Sequence, residues 1–412
     1  LESLNLDEAV LLDNFYRSNI TPLFFVECLA DLEKAIRSRS TPEQLVGSLA
    51  LRTPESQSCA TVHHTKVLGN ELARKFDLSQ VLERPMVPYG QPVQLGDKKG
   101  IVFRRSPEEE ALQRWTHHEF LEVERGFAKQ WRKALMRVNH DDLVKTVMAG
   151  IGHWRKPESL EDAKQMADYI IDNMDLEWLI GFGLELLDLP EATQFVRDDW
   201  TARRKPPIRQ HLPYFTFMLS INIFFALIIQ TQLLRNVKQS HQIDLAYLFY
   251  LPFCSVFTSK DRFHAQIVPL FLNPRQTFVN GEEMKQDLAR LVELYSSMPD
   301  EVLRTGLFTF AQTPPEDTSY LVTRLWDRYL PFWRGFKKQP RGPHDPEADR
   351  KLIEEINMWV DGGPGIQSHD EHDVDRLDHV TISRSVMPRK GRWRRFSEEQ
   401  EERMHEAQNK SS

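Results

Sequence analysis

The chain is 412 residues long, 41% hydrophobic and 27% charged, an ordinary globular composition with room for two domains or one domain carrying a large insertion. A net charge of −7 excludes a generally basic protein that coats nucleic acid and leaves room for a local basic patch. Three scattered cysteines exclude a disulfide framework; Cys28 and Cys254 sit in apolar runs as small buried hydrophobes, which points to a reducing, cytoplasmic compartment.

The chain opens on Leu1 with no basic, apolar and small-residue pattern of a signal peptide, and its natural N-terminus is expected upstream. Residues 5–18 read as a helix, with apolar positions at Leu6, Val10, Leu11 and Phe15. Ile20 to Val26 reads as a short buried strand. It leads into a helix, ECLADLEKAIRS, that places Glu27 and Asp31 one turn apart on one face. Thr41 before Pro42 marks the next helix start.

From residue 51 the texture changes. Prolines surround a hairpin in PVQLGDKKGIVF, and SPEEEALQRW begins a helix with Ser106 as N-cap and Pro107 at the first helical position. Helical patterns continue to about Leu187, with Trp115, Trp131, Trp154, Trp178 and Trp200 as core anchors of a helical subdomain. Residues 51–209 thus read as a mainly helical insertion with a small hairpin, between an α/β core at 1–50 and its second part at 210–337. The insertion is also the surface on which a protein partner is expected.

Leu212 to Leu234 runs 23 residues without a charge, long enough to span a bilayer. Its polar residues Ser220, Asn222, Gln230 and Gln232, and basic flanks on both sides, favour a buried core helix, so no membrane contact is expected. Next comes Asp244-LAYLFYLPFCSVFTSK-Asp261, a nearly charge-free stretch between two carboxylates. Its first half suits a short helix beginning on Asp244, Pro252 stops it, and FCSVFTS suits a buried strand. EEMKQDLARLVELYSSM is an amphipathic helix. Residues 338–412 read as a charged, partly disordered tail.

Glu27, Asp31, Asp244 and Asp261 form the main constellation that could carry chemistry. Hard cations such as Mg²⁺ or Mn²⁺ take oxygen ligands, and a cation so held activates water and neutralises charge on a phosphate. The plainer alternative is that each acid caps a helix or forms an ion pair; Asp31 lies three residues before Lys34 on one helix surface. An acid near a helix start after FFV, an Asp opening a later helix, and Ser259-Lys260-Asp261 closing a strand together resemble the PIN-like nuclease family, named for the PilT N-terminus. The resemblance covers residues 1–50 and 210–280. It implies an α/β fold, a three-layer parallel sheet flanked by helices, interrupted here by the helical insertion. It also implies a metal-dependent nuclease acting on RNA rather than DNA, with Glu27, Asp244 and Asp261 as catalytic metal ligands and Mg²⁺ or Mn²⁺ as cofactor. Asp31 would be a further ligand, and Ser259 would bond a ligand carboxylate or a phosphate oxygen. The family's first acid ends a first strand. Asp13 lies 14 positions before Glu27, too close for a helix and a strand between them, so that strand is expected upstream of residue 1.

The run RKGRWRR (389–395) combines five basic residues with Trp393. Arg392, Trp393 and Arg394 suit phosphate contact and base stacking, although charge runs are more often solvated. His63-His64 and His117-His118 read as surface pairs. SHDEHDVDRLDH (368–379) reads as a solvated acidic run, and GGPG (362–365) lacks what a phosphate loop needs.

Overall fold

A segment with as little polar surface as 212–234 must be enclosed, and the computed structural model encloses it as the central helix of a largely helical protein. The structure describes residues 3–35, 41–54, 59–60, 62–73, 90–95, 98–103, 107–126, 130, 140–152, 155–234, 241–336 and 387–402. The first elements are α1 (Leu6–Phe15), β1 (Asn19–Ile20), α2 (Pro22–Ala35), α3 (Pro42–Arg52), β2 (Cys59–Ala60) and α4 (His64–Leu72). A hairpin of β3 (Gly90–Leu95) and β4 (Lys98–Phe103) precedes α5 (Pro107–Thr116), α6 (His140–Ile151), α7 (Leu160–Asn173), α8 (Leu176–Leu186) and α9 (Thr193–Ala202). The central helix α10 (Pro213–Gln230) leads to α11 (His241–Leu248), β5 (Val256–Ser259), α12 (Arg262–Phe271), β6 (Thr277–Asn280), α13 (Gly281–Ser296) and α14 (Leu321–Tyr329). A hairpin of β7 (Arg389–Lys390) and β8 (Trp393–Arg394) follows.

The expected three-layer parallel sheet is not there: among the described residues every sheet has two strands, and helices dominate. Two apolar runs explain the difference. ITPLFFV forms the start of α2, with Pro22 at the first helical position, and leaves only Asn19–Ile20 as strand. FCSVFTS yields four strand residues, half-exposed, that pair in parallel with β6 across α12. A short apolar run looks alike whether it is buried as helix or as strand, so periodicity could not decide either case. Stronger local signals are reproduced. Thr41 and Gln44 form a capping box at α3, the 90–103 hairpin is antiparallel, and α1, α5 and α13 lie where their patterns put them. Ser106, Trp131, Trp154 and residues 362–379 fall outside the described residues.

Helices α4, α6, α7 and α8 pack around α10, so residues of the 51–209 segment and of 212–271 share one hydrophobic core. Of α10, 72% is buried inside the protein, which makes it a core helix. Trp115 and Trp200 are buried, and Trp178 stacks on Phe182. Nothing in the sequence around Leu212 caps α10. Instead the buried carboxylate of Glu71, on α4, accepts hydrogen bonds from the backbone N–H of Tyr214 (2.8 Å) and Phe215 (2.7 Å). A carboxylate meeting a helix N-terminus balances both a buried charge and donors that would otherwise be stranded. Asp287 does the same for α14, accepting from Leu321 (2.7 Å) and Val322 (3.0 Å).

The C-terminal expectation also changes. Residues 387–402 fold back as a clasp over α1. Gly391, at φ 60°, makes the turn between β7 and β8, where a side chain would meet Asp7. Lys390 is buried and donates to the Thr53 carbonyl, and Arg395 is buried against Asp13 at 3.2 Å. The RKGRWRR run is therefore a folded element rather than a solvated one.

Glu71→Ala should destabilise the protein by about 2–4 kcal/mol, because it strands two buried N–H groups at once. Glu71→Gln should cost less, since an amide oxygen still accepts. Urea unfolding of the two variants checks the order.

Candidate carboxylate site

Three elements carry three acids, and the charges of Glu27 and Asp261 both bear on Asp244. Glu27 lies on α2, half-buried, and accepts a hydrogen bond from the hydroxyl of Tyr247. Tyr247 sits on α11, three residues after Asp244, so both side chains share one face of that helix. Asp244 lies in the first turn of α11, inside the helix rather than at its cap. Asp261 is the N-cap of α12, accepting from the Phe263 N–H at 2.6 Å. Asp31 lies on α2 one turn beyond Glu27, and its side chain is outside the described residues.

Between the second and third acid stands His264. Its Nε2 is 2.8 Å from the backbone carbonyl of Asp244, and its Nδ1 is 2.8 Å from the Ser259 hydroxyl. The Asp261 N–H reaches that same hydroxyl oxygen at 3.1 Å. A carbonyl can only accept, so Nε2 carries the proton and Nδ1 accepts from Ser259. Ser259 in turn accepts from Asp261. The chain of donors has one direction, from Asp261 to Asp244. The imidazole is buried with Tyr247 and Phe257 edge-on to it, and burial holds its pKa below the ordinary histidine value. Ser259 is therefore engaged within the protein instead of pointing to a ligand.

Electrostatics single out Asp244. Burial raises its proton affinity first, then the charges of Asp261 and Glu27, and together they push its pKa up to about 7. Among the described residues no cation or hydrogen-bond donor meets this carboxylate, whereas Glu71 and Asp287 have helix N-termini and Asp13 has Arg395. The donor set suits a hard cation, being oxygen throughout. Among the described residues no group of three or more His, Cys, Asp or Glu side chains, Glu27, Asp244 and Asp261 included, is placed to hold a metal ion together. Mg²⁺ does not require one, because it commonly uses one or two carboxylates and keeps its remaining positions for water and phosphate.

The other sequence candidates lie elsewhere. Trp393 is 3% exposed and packed in a second core, so its ring offers no face to a base. Arg392 is tied to Asp7 and Ser296, and Arg394 to Glu398. His64 is buried rather than on the surface, its ring against Phe249, while His117 and His118 are exposed as expected. Tyr247 and His264 were missed. Tyr247 bonds Glu27 from another helix, and His264 bonds the Ser259 hydroxyl and the Asp244 carbonyl, contacts for which the sequence carries no local signal. The chain matches no protein-family profile, no curated protein and no solved structure.

The shift of Asp244 fixes a pH dependence. Folded Asp244 holds its proton up to about 7, against 3.8 for an ordinary aspartate, so its contribution favours the fold below the lower value. That contribution is lost as pH rises through the interval between the two. Asp244→Asn should therefore raise the Tm of the metal-free protein at about pH 8 and leave it nearly unchanged at about pH 4. Scanning calorimetry at both pH values decides it.

Proposed function

We propose that Glu27, Asp244 and Asp261 bind a divalent cation, Mg²⁺ or Mn²⁺, and that the site hydrolyses phosphodiester bonds in the cytoplasm. The observation that carries this reading is an aspartate that faces two further carboxylates without a compensating charge among the described residues. Such an arrangement is relieved by a proton on Asp244, as its raised pKa records, or by a cation that takes the proton's place. RNA, rather than DNA, rests on the motif resemblance of Glu27, Asp244 and Ser259-Lys260-Asp261 to PIN-like nucleases, without that family's sheet.

A cation bound here would supply an acidified water and offset charge on the phosphate. The chain's own groups have defined tasks. Tyr247 fixes the orientation of the Glu27 carboxylate through its hydroxyl. Asp261 holds its carboxylate at the α12 N-terminus, where the helix dipole favours the anion. Asp244, whose carboxyl is kept protonated in the metal-free protein by burial and two neighbouring acids, would release that proton on binding the cation, which makes the binding pH-dependent.

A second reading, a non-catalytic helical interaction module, is favoured by the structural duties of two acids: Asp261 caps a helix and Glu27 accepts from Tyr247. The two readings part at Asp244. Mn²⁺-dependent cleavage of single-stranded RNA is expected from the wild type. Asp244→Asn should lower it by more than the ~10–100-fold typical of groups outside the ligand set. Cleavage that needs no metal, or that survives in Asp244→Asn, would leave the interaction module standing.

A further inference from the structure

A second function can be assigned inside the same region, to residues that touch neither cation nor substrate. Glu27, Asp244 and Asp261 come from three different elements, and their like charges push them apart. Apolar burial in one shared core holds α11 against α12, through residues such as Leu248 and Ile267, but apolar packing has no direction and does not by itself align the acids against that repulsion. The backbone pairing does not do so, because β5 pairs with β6 and α11 belongs to no sheet. Polar links between α11 and the β5–α12 corner run through His264 and Ser259. His264 Nε2–H ties α12 to the carbonyl of Asp244, one residue's own backbone. Ser259 fastens the other side of the ring and receives the N–H of Asp261. Backbone atoms of both acids are thus joined through one buried imidazole in one tautomer. His241 stacks on Phe263, with ring centroids 4.8 Å apart, and braces the start of α11 against the same turn of α12.

We infer that Ser259 and His264 are positioning residues, a neutral hydrogen-bonded bridge that sets the separation of Asp244 and Asp261 for cation binding. This rests on the cation reading above and adds to it how the ligand spacing is maintained. A neutral bridge suits the task. A cationic side chain in its place would neutralise the carboxylates and compete with the metal, whereas an imidazole acting as donor at one nitrogen and acceptor at the other adds no charge. The two conservative variants each keep half of the bridge. The amide of His264→Asn has its acceptor near the place of Nδ1 but cannot reach the Asp244 carbonyl. The longer amide of His264→Gln can donate to that carbonyl and gives up Ser259.

Two measurements on the full chain test the inference. The first is the ¹⁵N NMR spectrum of the imidazole in the metal-free protein. It should show a neutral ring protonated on Nε2, with an Nδ1 resonance that moves in Ser259→Ala. A ring protonated on Nδ1, or one unaffected by Ser259→Ala, overturns the bridge whatever the cation result. The second is Mn²⁺ affinity by calorimetry. His264→Asn should weaken binding about 10-fold or more, as changes outside a ligand set do, with His264→Gln retaining part of it. A variant that loses thermal stability but binds Mn²⁺ as the wild type does assigns the bridge to folding alone and overturns the positioning role. Wild type that binds no Mn²⁺ removes the cation reading and the positioning role with it, while the NMR result still decides whether the bridge exists.

Discussion

A carboxylate taken out of water must be met by a donor or a positive charge, and that constraint ties this chain together across its length. Helix α10 has no cap of its own, and Glu71, more than a hundred residues earlier, supplies one. Asp287 serves α14 in the same way. Asp13, near the start of the chain, meets Arg395, near its end. Each contact satisfies a buried acid and at the same time fixes two distant elements against one another. The order of the helices around α10 follows from apolar burial, but their register against one another owes much to these acids.

Asp244 is where the pattern breaks. It is enclosed enough to hold a proton to about pH 7, and the groups bearing on it are two more acids. Natural proteins break local rules of this kind mostly where function requires it. The surroundings are otherwise well satisfied: Tyr247 serves Glu27, the α12 N-terminus serves Asp261, and Ser259 and His264 link the backbones of the two aspartates. Hydrogen-bonded neighbours around an acid that meets no cation among the described residues suit the proposed cation site, because fewer groups then have to be ordered on binding.

The sequence made parts of this legible. Glu27, Asp244 and Asp261 could be picked out because they interrupt apolar runs, and the charges of the first and last bear on Asp244. Thr41-Pro42 and the 90–103 hairpin were readable because caps and turns depend on a few adjacent residues. The sheet was not readable. ITPLFFV and FCSVFTS are apolar whichever structure they adopt, and tertiary packing made one a helix and left the other four strand residues. The role of RKGRWRR was hidden for a similar reason: Arg392 and Arg395 find Asp7 and Asp13, partners that no local pattern reveals. His264 escaped because its meaning lies in what faces its two nitrogens, the Asp244 carbonyl and the Ser259 hydroxyl.

Anomalous diffraction from crystals grown with Mn²⁺ addresses the carboxylate site most directly. A single manganese peak within coordinating distance of Asp244 and at least one of Glu27 and Asp261 is the result expected here, with the peak absent from crystals of Asp244→Asn. A fully occupied manganese elsewhere on the protein, with the three carboxylates bare, would contradict it.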